Sequence, residues 1–309
     1  MAEEKYLYGP VPSRRLGRSL GVDIVPFKVC SLDCVYCQLG RTTEKTVERK
    51  EYVPTEAILD ELKDRLTEGL QADFITLSGS GEPTLNLWLG ELIDGIKKIT
   101  DIPVAVLTNG TLLYRQDVRA DCAKADVVLP SLDAGQEDVF QKVNRPHSGL
   151  SIEKLIDGLC AFRKEFSGQM WLEVFLIERF NTDTEQIAKI RAAIERIRPD
   201  KIQLNTAVRP TVDAGIKRVE AEKLRAIAEE LGQRCEVVAD FSPQQLGENV
   251  ESKAEYVLSM LKRRPCSLSD ICSGLSIGRN EALKYISHFQ QQGAVDSEEK
   301  DGITFFRAN

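Results

Sequence analysis

Three cysteines stand four and three residues apart in Cys30-Ser31-Leu32-Asp33-Cys34-Val35-Tyr36-Cys37. Thiolates are soft ligands suited to iron–sulfur clusters or zinc. Three of them on one short loop can hold three irons of a cubane and leave the fourth iron open. A closed zinc site needs a fourth ligand, usually Cys or His, and the two histidines, His147 and His288, lie far off in sequence. A second group is Ser78-Gly79-Ser80-Gly81-Glu82-Pro83-Thr84. Its glycines allow close backbone approach, and Glu82 can offer a carboxylate to an ammonium group; the plainer reading is a βα turn with a solvated glutamate. Asn109, Ser131, Asp133 and Arg145 are further polar candidates, each with a competing use in a turn, a cap or an ion pair. Between Gly9 and Arg18 the arginines Arg14, Arg15 and Arg18 can clamp an anion or sit on a surface loop. Asn205, Thr206 and Arg209 are weaker candidates for substrate contact.

These groups need a scaffold, and the chain reads as short β-rich runs separated by helical patterns. Strands are expected over 19–26, 73–77, 104–108, 126–132, 171–177, 201–204 and 235–239. Helices are expected over 55–69, 152–166, 185–197 and 218–231. Strands spaced by long helical crossovers imply a parallel sheet, because parallel strands cannot be joined by hairpins. The fold class is therefore α/β, a partial (β/α)6 barrel, with a doubly wound open sheet as the alternative. In a barrel, the cysteine loop, Glu82, Asn109, Ser131 and Asp133 all follow the C-terminal ends of successive strands and face one cavity mouth.

After Phe241-Ser242-Pro243 the pattern changes to helix (252–262), helix (267–273), a turn at Gly274, helix (277–291) and a short β pair. That is a winged-helix order, with a Ser276 cap and Leu283, Ile286 and Phe289 facing inward. The expected division is residues 1–248 for the core and 249–309 for the tail. A winged helix presents one helix to nucleic acid, a peptide or its own protein. Arg279, Lys284 and Lys262-Arg263-Arg264 are the tail's candidate phosphate contacts, diluted by Glu281, Glu298, Glu299 and Asp301.

The bulk properties exclude several classes. With 309 residues, 42% hydrophobic and 29% charged, the chain can bury a core and does not read as disordered. No run approaches a membrane span and the start is acidic, so neither insertion nor secretion is expected and the expected compartment is the cytoplasm. Eight cysteines are too few for a disulfide scaffold. The other five, Cys122, Cys160, Cys235, Cys266 and Cys272, read as small buried hydrophobes. Net charge is -7, carried almost wholly by the core, which argues against broad phosphate-backbone binding.

The spacing Cys-x3-Cys-x2-Cys, with an aromatic residue before the last cysteine, resembles the signature of the radical S-adenosylmethionine superfamily. The resemblance implies that Cys30, Cys34 and Cys37 bind a 4Fe-4S cluster whose open iron is chelated by S-adenosylmethionine. Reductive cleavage would then give a 5'-deoxyadenosyl radical that abstracts hydrogen from the substrate. Residues 79–82 resemble the Gly-Gly-Glu motif that contacts the methionine amino group, with Ser80 where a glycine is common. Asn144-Arg145-Pro146 resembles a segment lying near the cofactor. The cofactor set so implied is Tyr36, Gly79, Ser80, Gly81, Glu82, Asn109, Ser131, Asp133 and Arg145. The stretch Gly9-Pro10-Val11-Pro12-Ser13-Arg14-Arg15 resembles a group of single-cluster iron–sulfur oxidoreductases related to wyosine-base synthases and to queuine lyase. No cysteine precedes Cys30, so a second N-terminal cluster of the wyosine type is not expected. The implied substrate is a small molecule or nucleobase, with tRNA-base or 7-deazaguanine chemistry favoured, and the implied reductant a flavodoxin or ferredoxin. A peptide-modifying enzyme and a cluster-based, redox-responsive DNA-binding regulator are the alternatives.

Overall fold

Helical crossovers do place the strands side by side and parallel. The computed structural model describes residues 6–13, 15–208, 211–213, 215–239, 253–275, 277 and 279–309. The expectations at Arg14, Arg209, Ser276, the side chains of Glu281 and Lys284, and the boundary near residue 248 fall outside it.

The chain begins with an antiparallel pair, β1 (Leu7–Ser13) and β2 (Gly17–Asp23). A long excursion follows, pinned by the small parallel pair β3 (Val29–Cys30) and β4 (Glu44–Lys45). Then come α1 (Thr55–Thr67), β5 (Phe74–Ser78), α2 (Leu89–Ile99), β6 (Val104–Thr108), α3 (Gln116–Cys122), β7 (Val127–Pro130), α4 (Glu137–Val143) and α5 (Ile152–Glu165). β8 (Gln169–Leu176), α6 (Thr184–Ile197), β9 (Lys201–Thr206), α7 (Ala221–Leu231) and β10 (Cys235–Val237) complete the core. The sheet runs β1-β2-β5-β6-β7-β8-β9-β10, parallel from β2 onward. This mixed α/β arrangement is the expected partial (β/α)6 barrel. Among the described residues, its first and last strands are not paired with each other.

Alternation along the strands divides the side chains between two faces. Ile75, Leu77, Val104, Val106, Leu172, Val174 and Leu204 join the main core, with Leu92, Ile93 and Ile96 of α2 and Leu155, Leu159 and Phe162 of α5. Burying each such side chain contributes about 1.5–3 kcal/mol before entropy is counted. On the other face, Ala105, Val127 and Leu129 enclose Leu16 in a separate cluster backed by Phe74, Leu107 and Trp171.

The arginine-rich opening stretch is not a loop beside the cysteines. It forms β1 and the turn into β2, and because β1 is antiparallel this turn lies at the N-terminal ends of the parallel strands, opposite the cysteine excursion. Arg15 pairs with Glu173 at 2.8 Å and Arg18 with Asp73 at 2.9 Å. The anions that Arg15 and Arg18 clamp are thus carboxylates of the same chain, and Arg15's partner Glu173 lies within electrostatic reach of Tyr36 and Asp133.

The tail contains α8 (Lys253–Arg263), β11 (Cys266–Ser267), α9 (Leu268–Leu275), α10 (Arg279–Gln291), β12 (Val295–Lys300) and β13 (Ile303–Ala308). Its three strands run in the order β11-β13-β12, and its own apolar cluster is built on Val257, Met260, Leu261, Ile271, Ile286 and Phe289. Leu283, expected to face inward, is exposed. Ala282 takes that place, because 282, 286 and 289 share a helical face and 283 is turned off it. Of the five remaining cysteines, Cys122 and Cys266 are buried, whereas Cys160, Cys235 and Cys272 are only half-buried. Among the described residues, no helix is long and apolar enough to cross a membrane.

Candidate active site

The excursion after β2 carries the three cysteines and is fastened on three sides. Toward β5, the Lys28 N–H donates to the Ser80 carbonyl (2.6 Å) and the Glu82 N–H to the Val29 carbonyl (3.0 Å). Toward the connection between α4 and α5, the Asp33, Val35 and His147 N–H groups donate to the Asn144, Val143 and Ser31 carbonyls at 2.9–3.0 Å. Beyond β9, the Val212 N–H donates to the Cys37 carbonyl at 3.0 Å. The approach to β5 is so close that a Cβ at Gly81 would lie 2.0 Å from the Val29 carbonyl oxygen. Only glycine fits there.

Each sulfur meets a nitrogen donor from a different part of the chain. The Lys28 Nζ donates to Cys37 Sγ at 3.0 Å, Asn144 Nδ2 to Cys34 Sγ at 3.5 Å and Asn109 Nδ2 to Cys30 Sγ at 3.6 Å. Donors suit thiolates, and hydrogen bonds to cluster sulfurs tune reduction potential. Burial and the nearby Glu82 push the Cys30 thiol up to about 12, and burial with Asp133 pushes Cys34 well above its ordinary range. Such thiols are thiolates only when a cationic centre compensates them. Among the described residues, no group of three His, Cys, Asp or Glu side chains could hold a metal ion as it stands. A cubane asks for a different spacing, one thiolate for each of three irons, and the donor set of three thiols with three N–H groups fits that. Asn144 Oδ1 and Arg145 Nη1 are buried beside this loop with no hydrogen-bond partner among the described residues.

The residues expected at the strand ends surround the loop. Glu82 is buried; its Oε1 accepts from the Thr84 and Thr108 hydroxyls, both at 2.6 Å, and its Oε2 from the Asn109 N–H at 2.8 Å. Burial raises its pKa against those bonds. In this arrangement the carboxylate ties the Gly79–Glu82 turn to the end of β6. Asn109 also donates to the Ser31 hydroxyl at 2.8 Å. Asp133 is buried and accepts from the Tyr36 hydroxyl, from Asn144 Nδ2 at 2.7 Å and from the Phe175 N–H at 2.9 Å. Burial nonetheless lifts it to about 6. Tyr36 stacks on Phe175 with ring centroids 3.9 Å apart. Arg145 Nη2 donates to Asp213 Oδ2 at 2.7 Å, and Asp213 also accepts from Arg41 at 2.6 Å.

Ser131 stands apart from this ring, bridged to Glu173, which accepts from Asn205 at 2.9 Å as well as pairing with Arg15. Thr206 binds only backbone in the contacts described, donating to the Leu176 carbonyl and accepting from the Val219 N–H. Of the three donors to the sulfurs, only Asn109 is a candidate side chain from sequence: Asn144 enters there only as part of a motif, and Lys28, buried with φ +61, does not enter. A lysine in an apolar run just before the first cysteine is the one signal that pointed to the latter.

A partial (β/α)6 barrel with three thiols on the excursion after its first parallel strand defines a class of enzyme, and comparison with known proteins gives that class its name. Residues 24–190 match the radical SAM superfamily, and the chain belongs to it. A UPF0026 protein of Methanocaldococcus jannaschii is 33% identical over 311 residues, covering 98% of this chain and 95% of that protein. A Brachyspira hyodysenteriae protein named GTPase Obg is 36% identical over 308 residues, and this chain spans 99% of its own length but 45% of that relative's. A solved structure of TYW1 with a lysine–pyruvate adduct bound superposes with a TM-score of 0.55 at 20% identity, over 69% of this chain and 72% of that one. The chain is thus an enzyme of the radical SAM class, whose cofactors are a 4Fe-4S cluster and S-adenosylmethionine.

Proposed function

We propose that Cys30, Cys34 and Cys37 hold the 4Fe-4S cluster and that the enzyme abstracts hydrogen from a small molecule or nucleobase-type substrate. The supporting observation is that these three sulfurs, and no others described, lie on one loop and each meet a nitrogen donor from a separate element. When bound, the cluster and S-adenosylmethionine supply a 5'-deoxyadenosyl radical as the hydrogen acceptor. The protein's residues do the positioning. Asn109 and Asn144 orient two of the cysteines, and Lys28 places a positive charge at the third. Glu82 fixes the turn of residues 79–82, and Asp133 holds Tyr36 and Asn144 against the loop. Arg145, whose Nη1 has no partner among the described residues, is the candidate contact for a cofactor carboxylate or ribose.

The tail is read as a winged helix beginning near residue 249, supported by its order of helix, short strand, two helices and hairpin. Two of its cations reach the barrel: Arg307 donates to the Leu39 carbonyl at 3.3 Å and Lys300 to the Ala207 carbonyl at 3.1 Å. That supports docking on its own protein over a nucleic-acid face. A cytoplasmic location and a flavodoxin or ferredoxin as reductant belong to the same reading.

Anaerobic reconstitution tests it. About four irons per chain are expected, and Cys34→Ala is expected to abolish reductive cleavage of S-adenosylmethionine. Cleavage that persists in this variant would falsify the assignment.

A further inference from the structure

Between the barrel mouth and the tail lies a cavity of about 300 Å³, the scale of a small-molecule site. The barrel contributes Ser78 and Gly79 at the end of β5, Leu107 of β6, and Gln38, which directly follows Cys37. The tail contributes Met260, Arg263 and Arg264. Its described walls therefore adjoin both the cluster loop and the turn that carries Glu82. They hold two guanidinium groups and no carboxylate.

The two arginines differ in what they already bind. Arg263 pairs with Asp23, donates to the Ser80 hydroxyl at 3.1 Å and lies 3.8 Å over the Tyr8 ring. That ring rests on Gly21, where a Cβ would come within 1.9 Å of it, so glycine is needed for the stack to form. Tyr8 in turn shares a 2.9 Å hydrogen bond with the Ser78 hydroxyl. Arg263 is thus fully engaged in fastening the tail to the barrel. Arg264, half-buried on the same wall, has no ion pair or side-chain hydrogen bond among the described residues. A guanidinium without a counter-charge, beside Leu107 and Met260, is complementary to an anionic group on an apolar body.

We propose that this cavity is the substrate chamber and that Arg264 recognises a carboxylate or phosphate on the substrate, with Arg263 as the residue that holds the chamber closed. The proposal rests on placing the cluster at Cys30, Cys34 and Cys37, because Gln38 of the cavity wall directly follows the last of these cysteines and Ser78 and Gly79 open the turn that carries Glu82.

The test is calorimetric titration of the cluster-loaded protein with phenyl phosphate, benzoate and benzyl alcohol, each with saturating S-adenosylmethionine present. At least one anion is expected to bind about tenfold or more tighter than the alcohol, a difference of about 1.4 kcal/mol. The preferred anion then tells phosphate from carboxylate. Arg264→Gln is expected to bring the anion down to the alcohol's affinity, and Arg264→Lys to keep most of the preference. Unchanged iron content in both variants shows that they fold. The proposal is overturned if the alcohol binds as well as both anions or if Arg264→Gln keeps the preference. It is also overturned if the anions bind only when S-adenosylmethionine is left out, because the site is then the cofactor's own carboxylate pocket. None of these outcomes depends on the Cys34→Ala cleavage assay, so failure of the chamber and failure of the cluster assignment read separately.

Discussion

The cysteine loop and the tail both press on the mouth of the barrel, but they are attached by opposite means. The loop is joined backbone to backbone, through Lys28 and Ser80, Glu82 and Val29, and Asp33 and Asn144. The tail packs on Val11 of β1, and its polar links are long cationic side chains: Arg263 on Asp23, Lys300 on the Ala207 carbonyl and Arg307 on the Leu39 carbonyl. Backbone bonds at a contact that excludes even a methyl group leave one geometry available. Flexible side chains reaching across a seam allow the contact to open and reform. The chemistry of a reactive radical needs both, a fixed frame for the cofactor and an enclosure that admits substrate and then excludes water.

Gly81→Ala strikes the fixed frame and should have a larger effect than any single change at the seam. The new methyl would overlap the Val29 carbonyl, and neither strand end can retreat without breaking its bonds to the other. We expect a loss of about 3 kcal/mol in urea unfolding of the core. Amide exchange in α8 to α10 should stay near wild type. Equal loosening of core and tail would show that the two regions are one cooperative unit and erase the distinction.

Much of the frame was legible because its signals are local. The cysteine spacing, the glycine-rich turn with Glu82 and the polar residues closing β6 and β7 are all written within a few positions of a strand end. What escaped is long-range or hidden by composition. A surface loop is one of the two readings that residues 9–18 allow, yet among the described residues β1 pairs with β2 alone and is an edge strand, where proline is tolerated. The roles of Arg15 and Arg18 follow from that hairpin's direction and could not be read before it. Asp133 was a candidate as a strand-end carboxylate, but its partners Tyr36, Asn144 and Phe175 lie on three other segments. Arg263 sits in a basic run that suggested phosphate, and its partner Asp23 lies near the opposite end of the chain.

Arg263→Ala attacks the seam. Side-chain exposure is 21% for Arg263 and 18% for Asp23, so removing the arginine strands a mostly buried carboxylate. We expect about 2 kcal/mol, read as faster amide exchange in α8 by about thirtyfold, while the strands β5 to β8 keep their protection. Arg263→Lys restores the charge without the planar fork or the stack on Tyr8 and should recover only part of the loss. Unchanged exchange in α8 would mean that the apolar contacts alone hold the tail.

The smallest effect is expected from Asp73→Asn, which removes the same Arg–Asp chemistry at the exposed end of the barrel. Arg18 donates to Asp73 from its backbone N–H at 2.7 Å and from its guanidinium at 2.9 Å, and these bonds hold the carboxyl below its ordinary range. A lowered folded-state pKa means stability that is present above the unfolded value, about 3.9, and lost as pH falls through the folded one. Solvent reaches this pair, with side-chain exposures of 33% and 44%, so its worth at pH 7 is below about 1 kcal/mol. Urea midpoints of wild type and Asp73→Asn should therefore differ slightly at pH 7 and converge as pH falls below the ordinary carboxylate range. A gap as large as that of Arg263→Ala would mean that burial is not what separates the two pairs, and that the seam owes its strength to the Tyr8 stack and the Ser80 bond instead.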